Sequence, residues 1–571
     1  MEDNMKKTIF SLFLFFLCLP IFTQIVWAEQ RDTLRVGLYY SGSGSNGALL
    51  SANLENYENT GKGYYFGYYD DARDFVPLGT TSETQISMSQ DINLTINSDG
   101  NYSAGASRDG VGCYHLQLNK TYASYDLASA AAAGLLGTYG TAFPAYDNGR
   151  FVVRMGNYTS QSEAEDGLSR TGADASVTSG TSYTVTVTKT GTNQILFEYD
   201  DSGNTYLAVE PRPVGSAKPQ TWFKGYRYYG GFEYDRSSVL SGGKINVINV
   251  VDLEDYTKCV ITFEMSPSWP AEALKAQSIC ARTYALNQTK HKSRNFDVCS
   301  TTNCQVYRGA SACQNASDAA VDATAGLAMY YDGKIIEADY YSSNGGASED
   351  SENVWTTALP YLRGKKDPYE STISIPGYNY EKSYSAAELT KLLQSKGHSI
   401  GTVASVQASY TRMGNIYSIK FTDTSGKCVT VQKESCRLLF SVPSMRFTIR
   451  SGSGSAVSAE PGTSGGGTYY INGEGSAVSS LESLYTISGS GTVSKCNGDT
   501  VYVRTADGIS ALGGGENGNS DMTVSGSTFV IKGTGNGHNV GMSQYGAYAM
   551  AKQGLTYRDI LTFYYTGITI E

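Results

Sequence analysis

One glutamate, Glu264, stands between a run of β-branched and aromatic residues, Asp255 to Phe263, and a following segment rich in small residues. A carboxylate at such a junction is fixed by backbone and partly withheld from water, the setting in which general acid/base groups acquire shifted proton affinity. Complementing the dipole of the following helix is its alternative role. Glu272 is the second carboxylate nearby; on the first turns of that helix it reads as serving the dipole or pairing with Arg282. His291, Cys299 and Cys304 follow in the pattern His-x7-Cys-x4-Cys and supply three zinc-ligand types. That spacing is not a standard finger, and a Cys299 to Cys304 disulfide across the short loop is the rival. Gln305 and Tyr307 come next and read as candidate substrate contacts.

Two further blocks carry groups suited to a polar ligand. Ser342, Ser343, Asn344 and Gly345 offer hydroxyls and backbone donors in a turn, and Trp355 and Tyr361 offer flat faces; a hairpin loop with ordinary packing aromatics is the plainer reading. Near the end, Gly535 to Gly541 reads as a loop carrying His538, with Ser543 capping a helix that opens on Gln544 and Tyr545. His538 suits a hydrogen bond to an amide or hydroxyl of a ligand, or the stabilisation of its own turn.

The elements that must hold these groups are a strand over Asp255 to Phe263, then a helix capped by Ser268 with Pro270 in its first turn, running through Leu286. Trp269, Ala273, Ala276, Cys280 and Tyr284 recur at helical spacing as its buried stripe, which leaves Gln277 and Arg282 free to point elsewhere. Upstream, Cys113 to about Thr188 alternates as β-α-β-β-α-β: Tyr114 to Leu118, Ser124 to Leu136, Ala142 to Tyr146, Phe151 to Met155, Ser160 to Leu168 and Tyr183 to Thr188. Residues 190–250 are strand-rich, and the Gly/Ser-rich stretch from 451 reads as an insertion.

Composition narrows the partners. A formal charge of −10 without a long basic run argues against nucleic acid and gives no reason to expect anionic lipid. With 44 tyrosines and 63 glycines the chain suits a secreted, strand- and loop-rich protein whose rings could stack on sugars. Lys6 and Lys7, an apolar run from Ile9 to Leu19 and Val26-Trp27-Ala28 read as a secretory leader cleaved before Glu29, in preference to an uncleaved membrane anchor. No later segment could span a bilayer. Of ten cysteines, nine remain without Cys18, and Cys259 and Cys280 on apolar faces read as buried thiols, not as a disulfide scaffold.

Glu264-Met265, Trp269-Pro270, Glu272 to Gln277 and Ala281 to Tyr284, with the closing block Gly533 to Gly567, together resemble the stage II sporulation protein D (SpoIID) family, whose members are similar to lytic transglycosylases acting on peptidoglycan. The resemblance covers roughly residues 225–450 and 530–571 and implies that Glu264 is the catalytic acid. It also implies that Gln277, Arg282, Gln305, Tyr307, Ser342, Ser343, Asn344, Gly345, Trp355, His538, Gln544 and Tyr545 line the substrate cleft, and that His291, Cys299 and Cys304 can hold a structural zinc. Asn539 stands where the family often has Gly. Phe151-Val-Val-Arg-Met-Gly156-Asn-Tyr158, followed by Ser160 and Ala164, resembles SPOR domains, which bind glycan strands stripped of stem peptides.

The expected fold is therefore α+β, multidomain and strand-rich: a leader (1–28), a strand and loop region (29–110), a SPOR-like unit (111–189), a SpoIID-like domain (190–450 and 531–571) and its insertion (451–530). The expected function is cleavage of MurNAc-GlcNAc β-1,4 bonds with 1,6-anhydro-MurNAc ends, needing no catalytic cofactor, in the cell envelope or outside the cell. Glycan strands are the expected partner, with an amidase as a second; a non-catalytic glycan binder or amidase enhancer is the alternative.

Overall fold

The computed structural model describes residues 32–42, 46–203, 205–236, 243–452 and 522–571, with short strands between Tyr469 and Leu512 as backbone alone. The leader and most of the insertion expected from the sequence lie outside the described residues. Mixed α+β architecture in several sheets is observed. Among the described residues no helix is long and apolar enough to cross a membrane.

Two large sheets form the first half. A seven-stranded sheet runs Val298–Cys299, Thr33–Tyr39, Asn246–Asp252, Gly231–Asp235, Leu207–Pro213, Gly61–Tyr69 and Phe75–Thr81. A ten-stranded sheet contains Ala175–Ser179, Tyr114–Leu118, Arg150–Tyr158 and Ala142–Asp147 in that order, then continues through Ile195–Asp200, Val185–Lys189 and Gln85–Gln90 to its far edge. Strands before residue 110 thus enter both sheets; Thr33–Tyr39 is hydrogen-bonded antiparallel to Asn246–Asp252, with Val36 opposite Asn249. Apolar side chains of both sheets, among them Val36, Phe66, Phe197 and Val209, share one core.

The β-α-β-β-α-β order is present, with helices α1 (Tyr125–Ala133) and α2 (Gln161–Thr171) capped by Ser124 and Ser160. Its closing strand is Ala175–Ser179, paired with Tyr114–Leu118, and not Tyr183 to Thr188 as the sequence suggested. That segment, Val185–Lys189, makes a hairpin with Ile195–Asp200 and joins Gln85–Gln90 instead. Alternating Thr and Val fit either place, so tertiary pairing decided.

Asp255 to Phe263 is a helix, not a strand. Helix α3 (Leu253–Glu264) is started by Asp252, whose carboxylate accepts from the amides of Glu254 and Asp255, and both acids in its first turn favour the dipole. Burial of Tyr256, Cys259, Val260 and Ile261 then outweighs the weak strand preference of its β-branched residues. Helix α4 (Ala271–Asn287) begins after Pro270 with no side-chain cap; Ser268 hydrogen-bonds Ser266 and not the helix. It is buried on every face from Ala276 to Ala285, so the stripe expected from the sequence is only part of its contact. Ala281 and Ala285 face the first core, while Ala273, Ala276, Ile279 and Cys280 face a second with Met542, Ile560 and Tyr564. Small residues are what let a helix pass between two packed cores.

The closing block completes the second core. Tyr340–Tyr341 pairs in parallel with Met542–Ser543, and helices α5 (Gln544–Lys552) and α6 (Tyr557–Tyr564) pack on α4. Gly546 cannot be larger, because an added Cβ would collide with the Tyr564 hydroxyl. All eight described cysteines are free, and Cys259 and Cys280 are buried thiols as expected.

Candidate active site

Glu264 is the last residue of α3, half-buried, with Met265 turning the chain away. A helix C-terminus gives a carboxylate no dipole support, which removes the dipole role considered from the sequence. Burial raises its proton affinity above the ordinary glutamate range, against hydrogen bonds from the Tyr340 hydroxyl and the Gln544 amide, the latter at 3.1 Å. These two donors favour the ionised form; desolvation wins, so the group can hold a proton and accept it back.

Behind Glu264 runs a directed chain of hydrogen bonds through the core. Tyr256 Oη donates to Gln305 Oε1 at 2.9 Å, and Gln305 Nε2 donates to Tyr340 Oη at 2.9 Å. With its lone pair so used, Tyr340 has its own proton for Glu264. On the other side Gln544 Nε2 also approaches Gln277 Oε1 at 3.4 Å, and Gln277 Nε2 is buried without a partner. Gln544 thus touches Glu264 directly, while Gln277 reaches it through Gln544 and Gln305 through Tyr340, so Gln305 acts as a support, not as a surface contact.

Several expected site residues are placed elsewhere. Arg282 is fully buried and clasps Glu254 through Nε and Nη2 at 2.7 and 2.5 Å, with Nη1 on the Leu327 carbonyl. It does not pair with Glu272, which takes Lys275 and the Tyr557 amide. Tyr307 is buried, stacks on Tyr256 at 5.1 Å and donates to Asn249. Ser343 and Asn344 are buried as well: Ser343 pairs backbone to backbone with Asn536, and Asn344 donates to Asp367 and Glu370. Gly345, at φ +72°, donates to Glu370, and the Ser342 carbonyl accepts from Tyr545 N–H at 2.9 Å. Burial pushes the Glu370 carboxyl up to about 7 in spite of the Ser543 hydroxyl and these amides. The turn is thus a strut under the site. Trp355 is half-buried, donating to Glu434 and packing on His538.

His538 has both nitrogens committed. Nδ1 accepts from the Val540 amide and Nε2 lies 3.1 Å from the Tyr340 carbonyl, so burial, which pushes its pKa down to about 4, leaves a neutral ring pinning the Tyr340 strand. It positions Tyr340; neither nitrogen is left for a ligand. At the surface, Trp269 and Tyr545 pack at 5.0 Å and Trp269 and Tyr548 at 4.9 Å, all half-exposed, and Phe263 beside Glu264 is 44% exposed. Cavities of about 370 and 540 Å³ lie elsewhere, against Tyr199 and Tyr234 and against Tyr380 and Arg446.

His291, Cys299 and Cys304 do converge, with ligand atoms all within 4.8 Å and Cys304 Sγ 3.3 Å from His291 Nε2. The thiols are free, and hydrogen bonds from Cys304 and Thr301 hold Cys299 below the ordinary thiol range. One imidazole and two sulfurs fit zinc chemically. Cys304 is followed directly by Gln305, so the cluster anchors the loop that orients Tyr340.

Tyr256 and Glu254 were not among the expected site residues. Asp252 with acids in the next positions was a visible helix-start signal; reading it would have placed Tyr256 inward and Glu264 at a helix end.

A half-buried acid held between helix ends by tyrosine and glutamine side chains is the setting of a single-carboxylate acid/base site. Residues 241–331 match the model of the family described as Stage II sporulation protein, so the chain carries a SpoIID-family domain. It is 32% identical over 319 residues to the amidase enhancer of Bacillus subtilis, which covers 55% of this chain and only 40% of that protein. It is 26% identical over 337 residues to stage II sporulation protein D of the same organism, covering 56% of this chain and 75% of the relative. An uncharacterised protein of Brachyspira hyodysenteriae is 28% identical over 359 residues, 61% of this chain and 73% of its own.

Proposed function

We propose that the protein is a lytic transglycosylase of peptidoglycan in the cell envelope, with Glu264 as its one acid/base group. The observation that carries this reading is the desolvated, doubly hydrogen-bonded carboxylate of Glu264. Protonated, it donates to the glycosidic oxygen; ionised, it takes the proton of the sugar's own C6 hydroxyl as the 1,6-anhydro ring closes. No second carboxylate and no attacking water are needed, unlike the paired acids of ordinary glycosidases. Tyr340 and Gln544 fix the carboxylate and stabilise its ionised state between the two proton transfers. The half-exposed rings of Trp269, Tyr545 and Tyr548 suit the faces of N-acetyl sugars.

His291, Cys299 and Cys304 would hold a structural zinc, which would tie the His291 and Cys304 loops to the strand Val298–Cys299 beside Thr33–Tyr39 and take no catalytic step. The β-α-β-β-α-β unit would serve as a SPOR-like holder of stripped glycan.

A second reading is favoured by the similarity to a protein named amidase enhancer: the chain binds glycan and assists an amidase without cutting. Purified protein incubated with amidase-treated peptidoglycan separates the two. Release of soluble sugar fragments supports the enzyme, whereas co-sedimentation with undegraded strands supports the binder.

A further inference from the structure

A second cluster of metal-ligand side chains lies inside the ten-stranded sheet, away from Glu264 and from the cysteines. Asp91 follows the strand Gln85–Gln90, His115 lies on Tyr114–Leu118 and Glu198 on Ile195–Asp200. Their exposures are 4%, 1% and 0%, and their ligand atoms all lie within 4.8 Å of one another. We propose that Asp91, His115 and Glu198 bind one divalent transition-metal ion of the zinc class, which ties the first strands of the chain to the β-α-β-β-α-β unit.

Three features support an ion in place of a plain ion pair. The His115 Nδ1 lies 2.8 Å from the Gly156 carbonyl, which fixes the N–H on Nδ1 and turns the Nε2 lone pair inward, the arrangement common in metal-binding histidines. Nε2 is buried without a hydrogen-bond partner; it lies 3.3 Å from Glu198 Oε1. A charge-assisted N–H···O bond runs about 2.7–2.9 Å. Ligands at about 2.0–2.2 Å around a tetrahedral ion lie about 3.3–3.6 Å apart, which is where these two atoms stand.

The second oxygen of Glu198 accepts from Arg154 Nη1 at 2.9 Å, so the carboxylate is itself oriented. Charge counting leaves one negative group to be neutralised. Asp91, Glu198 and Asp200 face Arg154 and Arg236, three negative groups against two positive, and the cluster is sealed from solvent. The remaining charge is met by the metal, by a proton on Asp91, whose carboxyl is raised by burial and by Glu198, or by a proton on His115; Nε2 standing 3.3 Å from Glu198 Oε1 without a hydrogen bond fits the metal. A bound ion would cross-link three segments far apart in sequence, and the two ligand sets differ: this one offers nitrogen and oxygen alone, the other mostly sulfur.

The test uses the full chain with Cys299→Ser and Cys304→Ser, which silences the sulfur site and leaves this one untouched. After dialysis against zinc and removal of excess, the expected result is about one zinc per chain whose X-ray absorption shows nitrogen and oxygen neighbours and no sulfur. Adding His115→Gln should abolish it, with circular dichroism confirming the fold; if that variant does not fold, Asp91→Asn should weaken zinc retention at least tenfold. Zinc-free double-cysteine protein after the same loading, or zinc retained unchanged in the His115→Gln chain, would overturn the proposal and leave a proton as the balancing charge.

Discussion

Gln305 donates its side-chain amide to the Tyr340 hydroxyl at 2.9 Å, and so directs the hydroxyl proton at Glu264. Since Tyr256 fixes the other end of Gln305, the amide cannot flip without breaking both bonds. The acid is thus steered from within the protein core, by residues that a ligand never reaches.

Replacing Tyr340 by Phe removes a donor that favours the ionised carboxylate. The proton affinity of Glu264 rises, and the alkaline limb of glycan cleavage moves to higher pH, because the acid stays protonated further up the scale. Maximal rate falls by roughly 10- to 100-fold, since proton return to an unsupported carboxylate is misaligned. A pH–rate profile of Tyr340→Phe checks both; an unmoved limb would mean the hydroxyl is only packing.

Arg282→Ala should destabilise the protein by roughly 2–3 kcal/mol, less than for a fully buried pair because Glu254 is 26% exposed, through the cavity left by the side chain and the loss of the donor to the Leu327 carbonyl. Urea unfolding measures it. Glycan affinity of the folded fraction should not change, as Arg282 has no exposed surface.

Glu370 gives a pH signature of stability. Its folded carboxyl titrates at about 7, above its ordinary value of 4.5, so its contribution is fully present below about 4.5 and is lost as pH rises through 7. The loss amounts to roughly 3 kcal/mol. Melting temperature of the wild type should fall across that window, and Glu370→Gln should flatten the fall; equal slopes in both proteins would contradict the assignment.

Trp269→Ala should weaken binding to stripped glycan about tenfold or more, as expected for a sugar-stacking ring. Co-sedimentation with amidase-treated peptidoglycan reads this directly. Trp269→Phe should recover part of the affinity.

Chelation bears on the cysteine cluster. Removing zinc should free the Cys304–Gln305 loop and lower thermal stability without abolishing cleavage, because no step passes through the metal. Zinc content, thiol titration and melting temperature follow it together.

Much of this was legible in the chain. Glu264 stood out by its place between two apolar segments, and the β-α-β-β-α-β order was readable from its alternating elements, though not which strand closes it. Two things were not. Thr257, Val260, Ile261 and Thr262 speak for a strand, and only the Asp252 cap and tertiary burial make them helical. Side-chain direction was the other: Arg282, Tyr307, Ser343 and Asn344 look like ligand contacts as residue types, yet each is taken by a partner distant in sequence. Polar residues in a core are identified by what they meet, and no local period reveals that.

Product analysis of denuded glycan strands is the most direct test of Glu264 as the sole acid/base. The account predicts fragments ending in 1,6-anhydro-MurNAc from the wild type and none from Glu264→Gln, with strand binding unchanged. Reducing ends in place of anhydro ends, or cleavage surviving in Glu264→Gln, would contradict it.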